Sequence, residues 1–459
     1  MAPEPYAFWT LEQEARAMLC RLRRLRSFAL QETMVPAASV SVEAQSAIER
    51  FLVSGRRALH GQIRKFVHWL RSPEVHGATA AEAHRRFTLL RLRFNVVLSD
   101  FDIFSEALSQ RSESDNGVWL AGLDVVSRDA LELSGVIDAP PVICYLARGP
   151  GAAIRRARTR LPGGGQNPVA IIRVPRERMV GTGIASSLVH EVGHQGAALL
   201  DLLPSLRDDL ADARDTGGSD QAAWTLWQRW ISEIVADFWS VARLGAASTA
   251  GLIGVVSLPS AFVFRIDPDD PHPAPYIRVK LSAAIGDKLY PHPQWRRLAS
   301  MWESFYDRGR LPPARRGLFE RLEKSIPTFV ERLAGHRPAR LGGRSLAEGL
   351  ADPERHASRL SRLYDLWQTR LPLMARAAPT LAFAVLGQAR LDGRLSPEKE
   401  SELTASLLRH WAWRSTVDVT EVCAVANLDQ RRRAPRGLPR RAPAAFPTFP
   451  APQALAAAP

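Results

Sequence analysis

Apolar residues recur at three- and four-residue spacing through Phe51, Leu59, Ile63, Phe66 and Leu70, with arginine and histidine between them. That period predicts amphipathic helix, and Ala80 to Leu98 continues in the same style. Residues 1–108 therefore read as a helical domain, closed by the polar run Ser109–Gly117. The pattern then changes. Pro141–Leu146 and Asn167–Pro175 are short, mostly apolar runs that predict strands. Pro168 and Pro175 bound the second run, and proline cannot donate to a ladder, so an edge strand is expected there. Between the two lie Arg155, Arg156, Arg158 and Arg160, then a flexible turn at Pro162–Gly165.

An apolar helix is predicted from Ala185 to Leu203, ended by Pro204. Arg207–Asp220 is polar and reads as a loop. A second helix is predicted from about Gln221 to Leu244, with Trp224, Trp227 and Trp230 near its first turns as core residues. Leu244–Phe264 is uncharged over 21 residues. Its glycines, serines and Pro259 lower the mean hydropathy, so it reads as a buried helix broken near Pro259 rather than a membrane span. The chain beyond 295 looks helical again, and Ser396-Pro397-Glu398 is a good helix start. From Arg431 the sequence turns Arg/Pro/Ala-rich without periodicity and reads as a disordered tail. The fold class expected is α+β and mostly helical, with a small antiparallel or mixed sheet beside two long helices. The divisions are 1–108, a central domain over 118–295, a helical region over 296–430, and the tail over 431–459.

Composition changes this picture little. With 46% hydrophobic and 24% charged residues among 459, the chain is ordinary globular material. Its formal charge of +14 rests on 56 Arg and only 5 Lys. Arginine-favouring codon usage is the simpler explanation; a basic surface for nucleic acid is the less favoured one. Cys20, Cys144 and Cys423 are widely spaced and form no CxxC, which argues against a disulfide framework or cysteine zinc site and predicts a reducing compartment. Glu4, Glu12 and Glu14 leave no signal-peptide core at the N-terminus, so a cytoplasmic protein is expected. Neither the spacing of His60, His68, His76 and His84 nor the glycines at 163–165 match a ligand or phosphate-binding pattern.

The candidate chemistry lies in His190-Glu191-Val192-Gly193-His194. Histidines four apart on a helix share a face and can hold one zinc, and the glutamate between them can act on a zinc-activated water. A catalytic zinc needs a third protein ligand. The pattern HExxHxxGxxH is excluded, because Ala197 and Leu200 stand at its Gly and His positions, and GTxxDxxYG is absent. A third pattern, a glutamate on a later helix with aspartate four residues on, is met by Glu233 and Asp237. Glu233 is then the third ligand. Asp237 accepts a hydrogen bond from the far nitrogen of a ligand histidine, which fixes its tautomer. Both acids sit among Ile231, Ile234, Val235, Phe238 and Trp239, where acids are rarely found without a partner.

HEVGH followed by ExxAD resembles the gluzincin zinc metallopeptidases. The segment His272-Pro273…Arg278 is similar to the HPxxxxR element of the CAAX prenyl peptidases and bacterial heat-shock membrane peptidases. The resemblance covers roughly residues 167–285. It implies that 118–295 is a catalytic domain and that His272 and Arg278 stabilise the tetrahedral intermediate. Tyr276 is a competing oxyanion donor, since a tyrosine has that role in other gluzincins. The chain departs from those families in lacking convincing membrane helices, so no integral membrane segment is expected. The expectation is a zinc-dependent endopeptidase with one zinc per chain, a protein or peptide substrate, and Glu191 as general base. The strand before the metal helix would pair with the substrate. The alternative is a non-catalytic zinc protein for binding or assembly, with the helical flanks and basic tail as its working parts.

Overall fold

The computed structural model describes residues 3–25, 28, 34–149, 151–176, 181, 183–216 and 220–433. The N-terminal region contains three long helices, α1 (Pro3–Arg24), α2 (Val42–Arg71) and α3 (Ala80–Ser109). Ser41 and Thr79 cap α2 and α3 by accepting the backbone N–H of Ala44 and Glu82. Leu59, Ile63, Phe66 and Leu70 are buried against α1 and α3, as the helical period predicts. The polar run after residue 108 is less of a boundary than its composition implies. Its Arg111 is fully buried, pairs with Asp124 at 3.0 Å and donates to the Cys144 carbonyl at 2.7 Å. Helix α4 (Ser114–Leu131) starts within the same run.

The sheet has three strands, β1 (Val142–Ala147), β2 (Ala153–Arg155) and β3 (Ala170–Pro175), in the order β1-β3-β2. β1 runs parallel to β3, and β2 antiparallel. The strand between the two prolines is therefore central, not an edge. Pro168 precedes the first rung and Pro175 occupies the last, opposite Ala147, so no inner rung lacks an N–H donor. Burial on both faces explains the position. Cys144, Ile172 and Val174 face the main core, whereas Ile143 and Ile171 face Phe101, Phe104, Ile48 and Leu52 of the N-terminal helices.

After the sheet come α5 (Gly183–Leu199), α6 (Leu202–Thr216) and α7 (Gln221–Leu244). Of the stretch expected to be a loop, Arg207–Thr216 belongs instead to helix α6. Leu202, Leu206, Leu210 and Ala213 are buried along one side, and the charged residues between them form its wet face. Asp201, at φ 54°, breaks the chain between α5 and α6. Pro204 falls in the first turn of α6, where no amide donor is needed. α8 (Ala246–Val256) follows Gly245, whose φ is 57°, and α9 (Ser260–Val263) follows Pro259. No helix among the described residues is long and apolar enough to cross a membrane.

The remaining helices are α10 (Pro275–Leu289), α11 (Gln294–Phe305), α12 (Pro313–Gly335), α13 (Leu346–Leu350), α14 (Ala357–Gln368), α15 (Leu371–Arg376), α16 (Pro379–Leu391) and α17 (Pro397–Arg433). Ser396 caps α17 through the Lys399 N–H. The helices beyond 295 do not form a core of their own: Trp302, Phe319, Phe329, Phe383 and Trp411 share one buried cluster with Trp227, Trp230 and Trp239. The fold is a mostly helical α+β arrangement with a small mixed sheet. Contacts divide the chain into Met1–Thr416 and Val417–Pro459. In the second unit α17 runs to Arg433, so residues 431–433 are helical. The rest of the expected tail, 434–459, lies outside the described residues.

Candidate metal centre

The centre starts from two glycines on α5. A Cβ added to Gly193 would lie 2.8 Å from Ala236 Cα and 3.0 Å from Ala236 O, and one on Gly196 would strike the Trp239 ring at 2.4 Å. Glycine in a helix interior costs about 1 kcal/mol relative to alanine. Here it lets α7 approach α5 closely enough for a short glutamate side chain to bridge the two. Three serines continue the contact into α8. Ser186 Oγ donates to the Ser248 carbonyl at 2.9 Å, Ser248 Oγ to Ser240 Oγ at 2.8 Å, and Ser240 Oγ to the Ser186 carbonyl at 3.3 Å.

At this crossing His190 and His194 stand one turn apart, their rings 4.9 Å between centroids and nearly perpendicular. Glu233 Oε2 lies 3.2 Å from His190 Nε2 and 3.5 Å from His194 Nε2. One donor atom from each of the three residues falls within 4.8 Å of the others, so the group could hold a metal ion. Two imidazole nitrogens and one carboxylate oxygen are a donor set that suits zinc.

Asp237 is where the spacing predicts it. Its Oδ1 takes the hydrogen bond of His190 Nδ1 at 2.8 Å. That places a proton on Nδ1 and leaves Nε2, which faces Glu233, as the nitrogen that could bind a metal once it gives up its own proton. Arg278 stands behind Asp237 rather than over the metal group: its Nε and Nη2 donate to the two Asp237 oxygens at 2.7 and 2.8 Å. Glu191, buried on α5 beside His190, adds its negative charge to the field around Arg278.

His272 reaches the group from the loop before α10. Its Nε2 lies 3.1 Å from Glu233 Oε2, and Asp270 holds its other nitrogen at 2.6 Å. Of the three histidines it is the most exposed, at 44% against 13% and 17%. Tyr276 is not part of the centre. It comes two residues before Arg278, roughly 200° around the helix, and packs on Phe264 and Phe319 at 4.7 and 5.9 Å. Burial and the nearby carboxylates of Glu323 and Glu303 push its phenol well above the usual tyrosine range.

The electrostatics follow from burial and pairing. Burial opposes charge on Glu233, but hydrogen bonds from His190, His194 and His272 hold its pKa well below the carboxylate range. Burial likewise opposes charge on Asp237, and the Arg278 and His190 charges outweigh it. For His190 burial disfavours the imidazolium, yet the Asp237 charge and the bonds to Asp237 and Glu233 raise its pKa to about 9.

Three supporting residues go unnoticed in a reading of the ligand pattern alone. Besides Gly193, Gln195 Oε1 accepts the Ala157 N–H at 2.8 Å and ties the segment after β2 to the metal helix. Arg340 donates to the Leu199 carbonyl at 2.8 Å and caps that helix. The interior glycine was a signal that could have been read; the distant arginine carried none. No family model matches the chain, and no curated protein or solved structure matches it.

Proposed function

We propose that the chain is a zinc-dependent endopeptidase of the gluzincin type, acting on protein or peptide substrates. The observation that carries this reading is the hydrogen bond from His190 Nδ1 to Asp237 beside the His190–His194–Glu233 group. Metal-ligating histidines are held by carboxylates in this way. Zinc bound there would supply a Lewis acid that makes water nucleophilic at neutral pH and polarises the scissile carbonyl. Glu191 takes the proton of the attacking water and passes it to the leaving amine. His272 donates its Nε2 hydrogen to the carbonyl oxygen as that oxygen gains charge. Arg278 acts through Asp237, keeping that carboxylate ionised and the His190 tautomer in place. With β3 paired on both sides, an extended substrate would add to the edge strand β2. The test is a comparison of new N-termini in a proteome digested with wild type and with Glu191→Gln. Cleavages made by the wild type alone are expected. The same set from both proteins would overturn the proposal.

One observation favours a second reading. His272 Nε2 at 3.1 Å from Glu233 offers a fourth protein donor, and a fourth protein ligand would close the site as in a structural zinc centre. The protein would then bind or assemble rather than cleave. On that reading His272→Ala lowers zinc affinity as much as His194→Ala does. On the peptidase reading His272→Ala keeps zinc and loses turnover.

A further inference from the structure

Positive charge is concentrated on the N-terminal helices. Residues 50–93 hold ten lysines and arginines against two acidic residues. Several arginines of these helices are paired: Arg16 and Arg71 with Glu12, Arg21 with Glu14, and Arg86 with Glu82. Three others converge instead on one cavity of about 330 Å³ between the end of α1 and the middle of α2, lined by Leu22, Arg23, Arg56, Arg57 and His60. Arg56 donates to the Leu25 carbonyl. Among the described residues no carboxylate pairs with Arg23, Arg56 or Arg57.

Like charges gathered around a cavity repel one another unless something neutralises them. The C-terminus of α1 offsets part of this repulsion, since it carries about half a negative charge. That is a small fraction of three guanidinium charges. We infer that the cavity is a binding site for a multivalent, phosphate-bearing anion. The guanidinium fork matches two phosphate oxygens at once, and His60 adds an imidazole donor. A lone carboxylate would neutralise one charge of three, whereas a diphosphate neutralises two or more. The cavity falls within the size range of small-molecule sites. A soluble phosphate compound and a phospholipid headgroup offer the same chemistry.

The test titrates full-length protein with sodium pyrophosphate by calorimetry at low ionic strength. In parallel it measures co-sedimentation with vesicles of phosphatidylglycerol and phosphatidylcholine. Saturable binding of one pyrophosphate per chain is expected, weakened at least tenfold in the Arg23→Ala/Arg57→Ala variant. Arg56 stays intact because it supports Leu25. The Arg85→Ala/Arg91→Ala variant removes the same charge from the exposed side of α3 and should bind as wild type does. Vesicle binding that pyrophosphate displaces would identify the headgroup as the source, and pyrophosphate binding without vesicle binding would identify a soluble ligand. Absence of saturable pyrophosphate binding, or equal weakening in the two variants, would overturn the site.

Discussion

Arg278 grips both carboxylate oxygens of Asp237, at 2.7 and 2.8 Å, and the same Asp237 holds the Nδ1 of His190 at 2.8 Å. Arginine, aspartate and histidine thus form a chain that ends at the His190–His194–Glu233 group. Removing Arg278 leaves Asp237 buried and without its strongest partner. Arg278→Ala should cost about 3–5 kcal/mol of stability and lower zinc affinity about 10–100-fold. Arg278→Lys keeps the charge but not the fork, and should fall between. Chelator competition and thermal melts measure both. An Arg278→Ala protein with normal zinc affinity and impaired turnover alone would place the arginine on the reacting carbonyl instead.

The glycine in HEVGH sets the distance between two helices. Gly193→Ala puts a Cβ within 3.0 Å of the α7 backbone, which a packed interface relieves only by separating. The expected cost is about 1–3 kcal/mol, with loss of zinc because Glu233 is drawn away from the histidines. Melting temperature and metal content of the purified variant test this together. Unchanged zinc content would mean that α7 need not approach so closely.

Tyr276 and Arg278 show what a linear motif can and cannot tell. The His272–Arg278 element placed both residues near the centre, but only helix rotation decides which of two neighbours faces it. Tyr276→Phe should therefore keep activity and cost about 1 kcal/mol for the buried hydroxyl. A large fall in kcat with stability unchanged would return Tyr276 to the active site.

The candidate metal group and its carboxylate support were legible. His190, His194, Glu233 and Asp237 all lie on helices whose period fixes which side chains share a face, and the Gln221–Leu244 helix was readable to its ends. Three things were not. β3 reads as an edge strand from its prolines, whereas burial on two faces makes it central. α6 reads as a loop because its charged face outweighs Leu202, Leu206 and Leu210 in any simple count. Arg340 caps the metal helix from 141 residues away, a separation over which spacing carries no information.

His190 provides a pH test. In the metal-free protein its pKa is raised to about 9, so at pH 7 the ring is charged and zinc must displace a proton to bind. The raised value stabilises the metal-free fold fully below the unfolded pKa of about 6.5, and that contribution is lost as pH rises through about 9. Zinc affinity should therefore fall about tenfold per unit as pH drops below 9. Calorimetry in buffers of different ionisation enthalpy should show about one proton released per zinc. No proton release at pH 7 would mean that His190 is already neutral.

In the proposed reading the His190–His194–Glu233 group holds zinc for hydrolysis and Glu191 moves the proton. Zinc content and peptide turnover measured side by side in wild type and Glu191→Gln decide between this reading and its failure. About one zinc per chain is expected in both proteins, with cleavage in the wild type alone. Equal turnover in the two, or no zinc in either, would contradict it.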